Sequence, residues 1–351
     1  MNFSLLARKC AGALVQSRIS PVSRAATALT ICLAATGVIV SIATKFELAS
    51  LPNVMPLLVG VVALDVVSQF VPQPRIATAL QSILYGFLYL AVTVLCAVLA
   101  AYAMQRLAFP LRDDLFARMD TALGFDWLGY AHWVDGHLSV QRLFHFAYYT
   151  IQIQIVLPLV VLVLFNRTDE ARIYLLAFTI ALSTTIVISA LLPAAGPIAS
   201  VDRASFHILK FTGATPLDHL MRLREVGRLI LRDAPGGIAT FPSFHSTIAV
   251  LTPLTLRAHR RIFVVLIVLD AAMLGGTITE GAHYFVDVLA GSAMAVFAYV
   301  LARRIIRIED ACYASGPRLV NVSTITSRPD VKTEPPGETK EIFSPRVGSP
   351  M

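Results

Sequence analysis

Charge is scarce in this chain: Lys, Arg, Asp and Glu make up 15% of 351 residues, against 56% apolar. Soluble globular domains carry about a quarter of their residues as charge, so this composition, with mean hydropathy +0.70, excludes that class and implies an integral membrane protein. Cysteine is equally sparse. Cys10, Cys32, Cys96 and Cys312 lie far apart without paired spacing, and two of them fall inside apolar runs, which argues against a disulfide framework or a zinc site. No internal repeat is visible. That counts against a transporter built from paired interrupted helices, an alternative resting on Asp65 and Asp270, two isolated carboxylates inside apolar runs.

Long apolar runs are plentiful. Crossing a hydrocarbon core of about 30 Å as helix takes roughly 20 residues. Eight runs approach that length, at 25–44, 53–71, 84–104, 145–165, 172–193, 240–256, 262–280 and 283–302. The predicted fold is all-α, a polytopic integral membrane helical bundle of about eight transmembrane helices. The first run follows a basic stretch but is longer than a signal-peptide core, so it reads as a retained span.

The net charge of +7 could suggest nucleic acid in a soluble chain. Here the basic residues cluster at the ends of apolar runs and set orientation instead, so no nucleic-acid partner is expected. By parity of the spans, one face collects Arg8, Lys9, Arg18 and Arg24, then Arg75, then Arg167 and Arg172, then Arg257, Arg260 and Arg261, then Arg303, Arg304 and Arg307. That face is expected to be cytoplasmic. Residues 1–24 then form a cytoplasmic N-terminal segment, 25–104 accessory transmembrane helices, 105–144 an outer interfacial loop, and 145–302 a membrane core. Residues 303–351, rich in Pro, Ser, Thr and charge, form a tail expected to be disordered. The outer loop carries Leu123, Trp127, Tyr130 and Val134 at helical spacing, a stripe suited either to anchoring in the headgroup region or to guiding a lipid.

Two segments carry chemistry, Thr240-Phe-Pro-Ser-Phe-His-Ser and Gly281-Ala-His-Tyr-Phe-Val-Asp. Two spans out and back would return the chain between them to one membrane face, so His245 and His283 could share a depth. His283 and Asp287, four apart, would lie on one helix face, where the carboxylate accepts from one ring nitrogen and leaves the other free. A plain structural role, tying two helices together, fits the same pair. Pro242 suits the first turn of a helix, whose amides near Ser243, Phe244 and His245 would suit a phosphate.

Pro242-Ser-Phe-His followed by His283-Tyr-Phe-Val-Asp resembles the second and third motifs of the type 2 phosphatidic acid phosphatase superfamily. The Phe-Pro-Ser-x-His-Ser and His-Tyr-x-x-Asp forms are most similar to the branch of inositol phosphorylceramide synthases and related bacterial membrane proteins. The resemblance covers roughly 145–302. It implies a lipid phosphatase or phosphotransferase in which His283 attacks phosphorus, Asp287 supports it and His245 protonates the leaving oxygen. It also implies a membrane lipid substrate, an alcohol such as inositol as an alternative acceptor to water, no cofactor and no metal. The expected location is a bacterial inner (plasma) membrane with the site on the extracytoplasmic side. Oligomeric state is left open.

The chain departs from the family pattern in three places. Thr277 stands where those phosphatases usually carry Arg, six residues before the third-motif His. Phe244 stands where they commonly have Gly. Leu192-Pro-Ala-Ala-Gly-Pro197 occupies the region of the first motif, without its Lys and Arg-Pro. Phosphate-binding cations must therefore come from elsewhere, and the loop before the second motif offers Arg203, Lys210, Arg222, Arg224, Arg228 and Arg232. By similarity around Leu223-Arg224, Arg224 is the expected phosphate clamp, with Arg203 and Arg228 behind it. Attraction to anionic headgroups is the simpler role for most of that loop. His207 and His219 read as ordinary loop histidines.

Overall fold

The computed structural model describes residues 22–45, 47–50, 74–202, 205–206, 220–221, 223–225, 228–230 and 240–315. The expected second span with Asp65, Arg203, and most of the C-terminal tail lie outside the described residues.

Ten helices are described: α1 (Arg24–Thr44), α2 (Pro74–Gln105), α3 (Asp113–Ala122), α4 (Trp127–Asp135), α5 (Leu138–Tyr149), α6 (Ile151–Leu164), α7 (Thr168–Leu191), α8 (Phe244–Leu256), α9 (Arg260–Glu280) and α10 (Phe285–Ser315). A short parallel pairing joins β1 (Glu47–Ser50) to β2 (Arg228–Ile230). Contacts divide the chain at Glu309; the second unit, from Asp310, is described only to Ser315.

Apolar length makes α1, α2, α7, α9 and α10 membrane-spanning, five helices, with a sixth span if α5 and α6, bent by 50° at their junction, count as one. The helical membrane fold is as expected, but the number of spans is smaller than the expected eight among the described residues. The run at 240–256 is one reason. Its helix α8 has 13 residues and reaches about 20 Å, short of a hydrocarbon core.

α7 is the central helix: 72% of its apolar window is buried, against 22% for α1. Tyr174, Leu175, Leu176 and Phe178 fill the core there with residues of α6, α8 and α10. With lipid outside as apolar as the core inside, helices are held by close packing and shared hydrogen bonds. A chain of hydroxyls does this here, Thr30 to Tyr89 at 2.9 Å and Tyr89 to Thr179 at 2.6 Å, joining α1, α2 and α7.

Two ends of the bundle differ in chemistry. At one, Glu309 of α10 accepts from the Ala25 amide at 2.8 Å and from Arg172 at 3.5 Å, so the start of α1, the start of α7 and the distal part of α10 meet among basic residues. At the other, the Thr240 hydroxyl donates to the Ala194 carbonyl beyond α7 at 3.0 Å. The starts of α8 and α10, with both motifs, sit at this second end.

Candidate active site

The second motif leads into α8 through Ser243, its N-cap, whose hydroxyl accepts from the Ser246 amide at 3.3 Å. Pro242 therefore precedes the cap and lies two residues before the first turn, outside the expected position. The Ser243 amide donates to the Asp287 carbonyl at 3.1 Å, and the Thr247 hydroxyl donates to the Gly291 carbonyl at 3.0 Å. These bonds seat α8 on α10. Gly291 permits it, since a Cβ there would fall on the Ser243 carbonyl oxygen.

Both polar groups of Ser243 are thus engaged within the protein. The next amides, of Phe244 and His245, have no partner among the described residues and are what the first turn offers to an anion. The Phe244 ring points to the core, edge-on to Phe178 at 5.7 Å. Half-buried His245 stacks on Tyr148 of α5, ring centroids 3.9 Å apart and planes within 10°.

In the third motif, His283 Nδ1 lies 3.1 Å from Asp287 Oδ2, with Asp287 fully buried. The pairing matches the expectation, but its origin differs from two neighbours on one helix face. α10 starts at Phe285, so His283 precedes it, placed by a left-handed turn at Ala282 (φ 50°). Asp287, in the first turn, reaches back and accepts from the Tyr284 amide at 3.1 Å with the same oxygen that meets His283. This is the back-reaching half of a capping box.

Four residues of α3, α4 and α5 that the motifs do not reveal surround this centre. Asp120 accepts from the amides of Phe285 at 2.8 Å and Val286 at 2.9 Å. Asp113 accepts from the Gly196 amide at 2.9 Å and from the Tyr284 hydroxyl at 3.1 Å. The Trp127 indole donates to the carbonyls of Ile278 and His283, each at 3.2 Å. Tyr148 is the fourth. Burial raises the Asp120 pKa against the pull of its two amides, and burial, with Asp113 next, raises that of Tyr284.

Most of the stripe in the outer loop packs inward. Trp127, 8% exposed, and fully buried Val134 pack against Ile278, Ala282 and Val288, and the Tyr130 hydroxyl donates to the Gly275 carbonyl at 3.1 Å. Trp127, Tyr130 and Val134 thus brace the site. Leu123 lies outside α4 and is 54% exposed. The sequence held one signal of this role: Asp113 and Asp120, seven apart, share a face of a short amphipathic helix.

The cations are less gathered than the motifs. The Arg224 guanidinium donates to the Phe109 carbonyl at 2.9 Å, and its own carbonyl accepts from Arg106. No contact brings it to His245, His283 or Asp287 among the described residues. Arg228 lies in β2, and its side chain, like Arg203, is outside what is described. Thr277 turns back on its helix, donating to the Met273 carbonyl at 2.8 Å. Among the described residues no three His, Cys, Asp or Glu side chains converge as metal ligands would.

The family model of the PAP2 superfamily matches residues 114–301, more than half of the chain. The match opens inside α3, so the helices that brace the third motif fall within the family unit. No curated protein and no solved structure matches the chain.

Proposed function

This chain belongs to the PAP2 superfamily, a family of phosphatases and phosphotransferases, and from that premise we propose a membrane enzyme acting on a lipid phosphate ester through a phosphohistidine. The observation that carries the reading is the buried His283–Asp287 pair at 3.1 Å, bonded through Ser243 to the helix that bears His245.

Asp287 accepts the Nδ1 proton of His283, which leaves the Nε2 lone pair free to attack phosphorus. As the N–P bond forms, the P–O bond to the leaving group breaks, and the departing oxygen takes a proton from His245. In the second step the acceptor oxygen attacks phosphorus, its proton passes to His245, and the N–P bond breaks. Water as acceptor gives hydrolysis; an alcohol such as inositol gives transfer of the phosphoryl group, or, where the donor is a phosphodiester lipid, of the substituted phosphoryl group that makes a new headgroup lipid. The Phe-Pro-Ser-x-His-Ser form of the second motif favours the inositol phosphorylceramide synthase-like branch and hence transfer. The free amides of Phe244 and His245 would hold one phosphoryl oxygen, with Arg224 as clamp and Arg203 and Arg228 in support. The site lies at the end opposite the basic cluster around Arg172, which favours the extracytoplasmic face of a bacterial inner membrane.

Purified protein incubated with labelled candidate lipid phosphates, with and without inositol or another alcohol, tests this by its products. Free phosphate supports hydrolysis, and the phosphorylated alcohol, or a new headgroup lipid where the donor is a phosphodiester, supports transfer. Neither product from any lipid would overturn the enzymatic reading.

A further inference from the structure

The third motif has no side chain before its helix able to accept from the first two amides of α10. Tyr284 occupies the residue before α10, a position that normally carries a short acceptor, and its hydroxyl is spent on Asp113 at 3.1 Å. The first two amides of α10 are instead taken by Asp120, a carboxylate from α3 more than 160 residues earlier in the chain, at 2.8 and 2.9 Å.

We propose that Asp120 is a positioning residue for His283 and Asp287, capping α10 from another helix so that the two side chains meet in the geometry the reaction needs. The inference rests on the phosphohistidine reading. His283 stands outside the helix, so regular helix geometry does not set its distance to Asp287. What sets it is where the first turn begins. Asp287 reaches back to the Tyr284 amide and to His283 from that turn; if the turn frays, the 3.1 Å contact is lost.

α3 is fixed at both motifs. Phe116 stacks on Phe241 with centroids 4.4 Å apart, beside the start of α8, and Asp113 holds the Ala195 and Gly196 amides, so Asp120 presents its oxygens from a braced helix. Asp120 is 3% exposed, and burial raises its pKa against the pull of the two amides it holds. The same bonds also decide between two anion sites: with the α10 amides closed by Asp120, the start of α8 is left to the phosphate.

The test compares Asp120→Asn, Asp120→Glu and, as a control on the same helix, exposed Asp114→Asn. Dioctanoyl phosphatidic acid in detergent micelles is the activity probe, and ¹⁵N-histidine NMR reads the His283 tautomer. Asp120→Asn should lower kcat by about tenfold to a hundredfold, the scale set by small misplacements of reacting groups, with KM within about twofold. Its melting temperature should stay near that of the parent. His283 should change from a single Nδ1–H tautomer to a mixture, and Asp120→Glu, which keeps both acceptors, should recover part of the rate. Asp114→Asn should match the parent. Parent-like kcat in Asp120→Asn, an unchanged tautomer, or an equal loss in Asp114→Asn would each overturn the proposal. If the parent itself leaves phosphatidic acid untouched, the substrate reading fails on that lipid, and the tautomer comparison still decides the role of Asp120.

Discussion

One carboxylate oxygen of Asp287 serves both the His283 ring and the Tyr284 amide, while its other oxygen is buried without a partner among the described residues. Replacing the acid by Asn should therefore lose tautomer control while keeping shape. Asp287→Asn is expected to express normally and to lose about three to four orders of magnitude in kcat, as a support for imidazole does elsewhere. The cations call for a different comparison. If Arg224 clamps phosphate through two N–H groups, Arg224→Lys should lose much of the activity and Arg224→Ala nearly all, with Arg232→Ala close to the parent, all at matched expression. Mild, equal losses would show a loop that only gathers anionic lipid. The pairing of His283 with Asp287 was legible because a short local motif carries it. Asp120 left only its seven-residue spacing from Asp113 as a signal, because its partners lie more than 160 residues away in the chain.

α8 and α10 meet through backbone, and Gly291 is the residue that lets them do so. A Cβ at 291 would drive onto the Ser243 carbonyl, so Gly291→Ala should cost about 1–3 kcal/mol, read as a lower melting temperature, together with a fall in kcat. A parent-like enzyme in both respects would show that the close seating of the motifs is unnecessary. Tyr148 gives a second test on another element. Its ring fixes the plane of His245, so Tyr148→Leu should reduce kcat more than KM, whereas Tyr148→Phe should retain most of the rate because the stack needs no hydroxyl. Hydropathy made the helices readable, and it missed two features for physical reasons. α8 is buried among other helices and is too short to span lipid, while α5 and α6, one span if counted together, bend by 50° at Thr150, where apolar composition continues without a break.

At the scale of the molecule, the basic end around Arg172 and the motif end at Thr240 lie at opposite extremes of α7. Cysteine labelling of intact cells should reach introduced residues at exposed position 121, beside Asp120, and at 210, and spare one at 260. Labelling at 260 but not at 210 would invert the topology and move the site to the cytoplasmic face. The helical membrane architecture was legible from composition alone, whereas the α3–α4 brace required the folded chain: its aromatic stripe looks the same whether it faces headgroups or Ile278 and Val288. The central claim is the covalent step at His283, and trapping tests it most directly. Protein incubated briefly with a phosphate-labelled lipid substrate identified by the product assay, quenched in alkali and digested, should carry the label on the peptide containing His283. The label should vanish in His283→Ala. Turnover without label on that peptide, or label retained in His283→Ala, would contradict a phosphohistidine at this site.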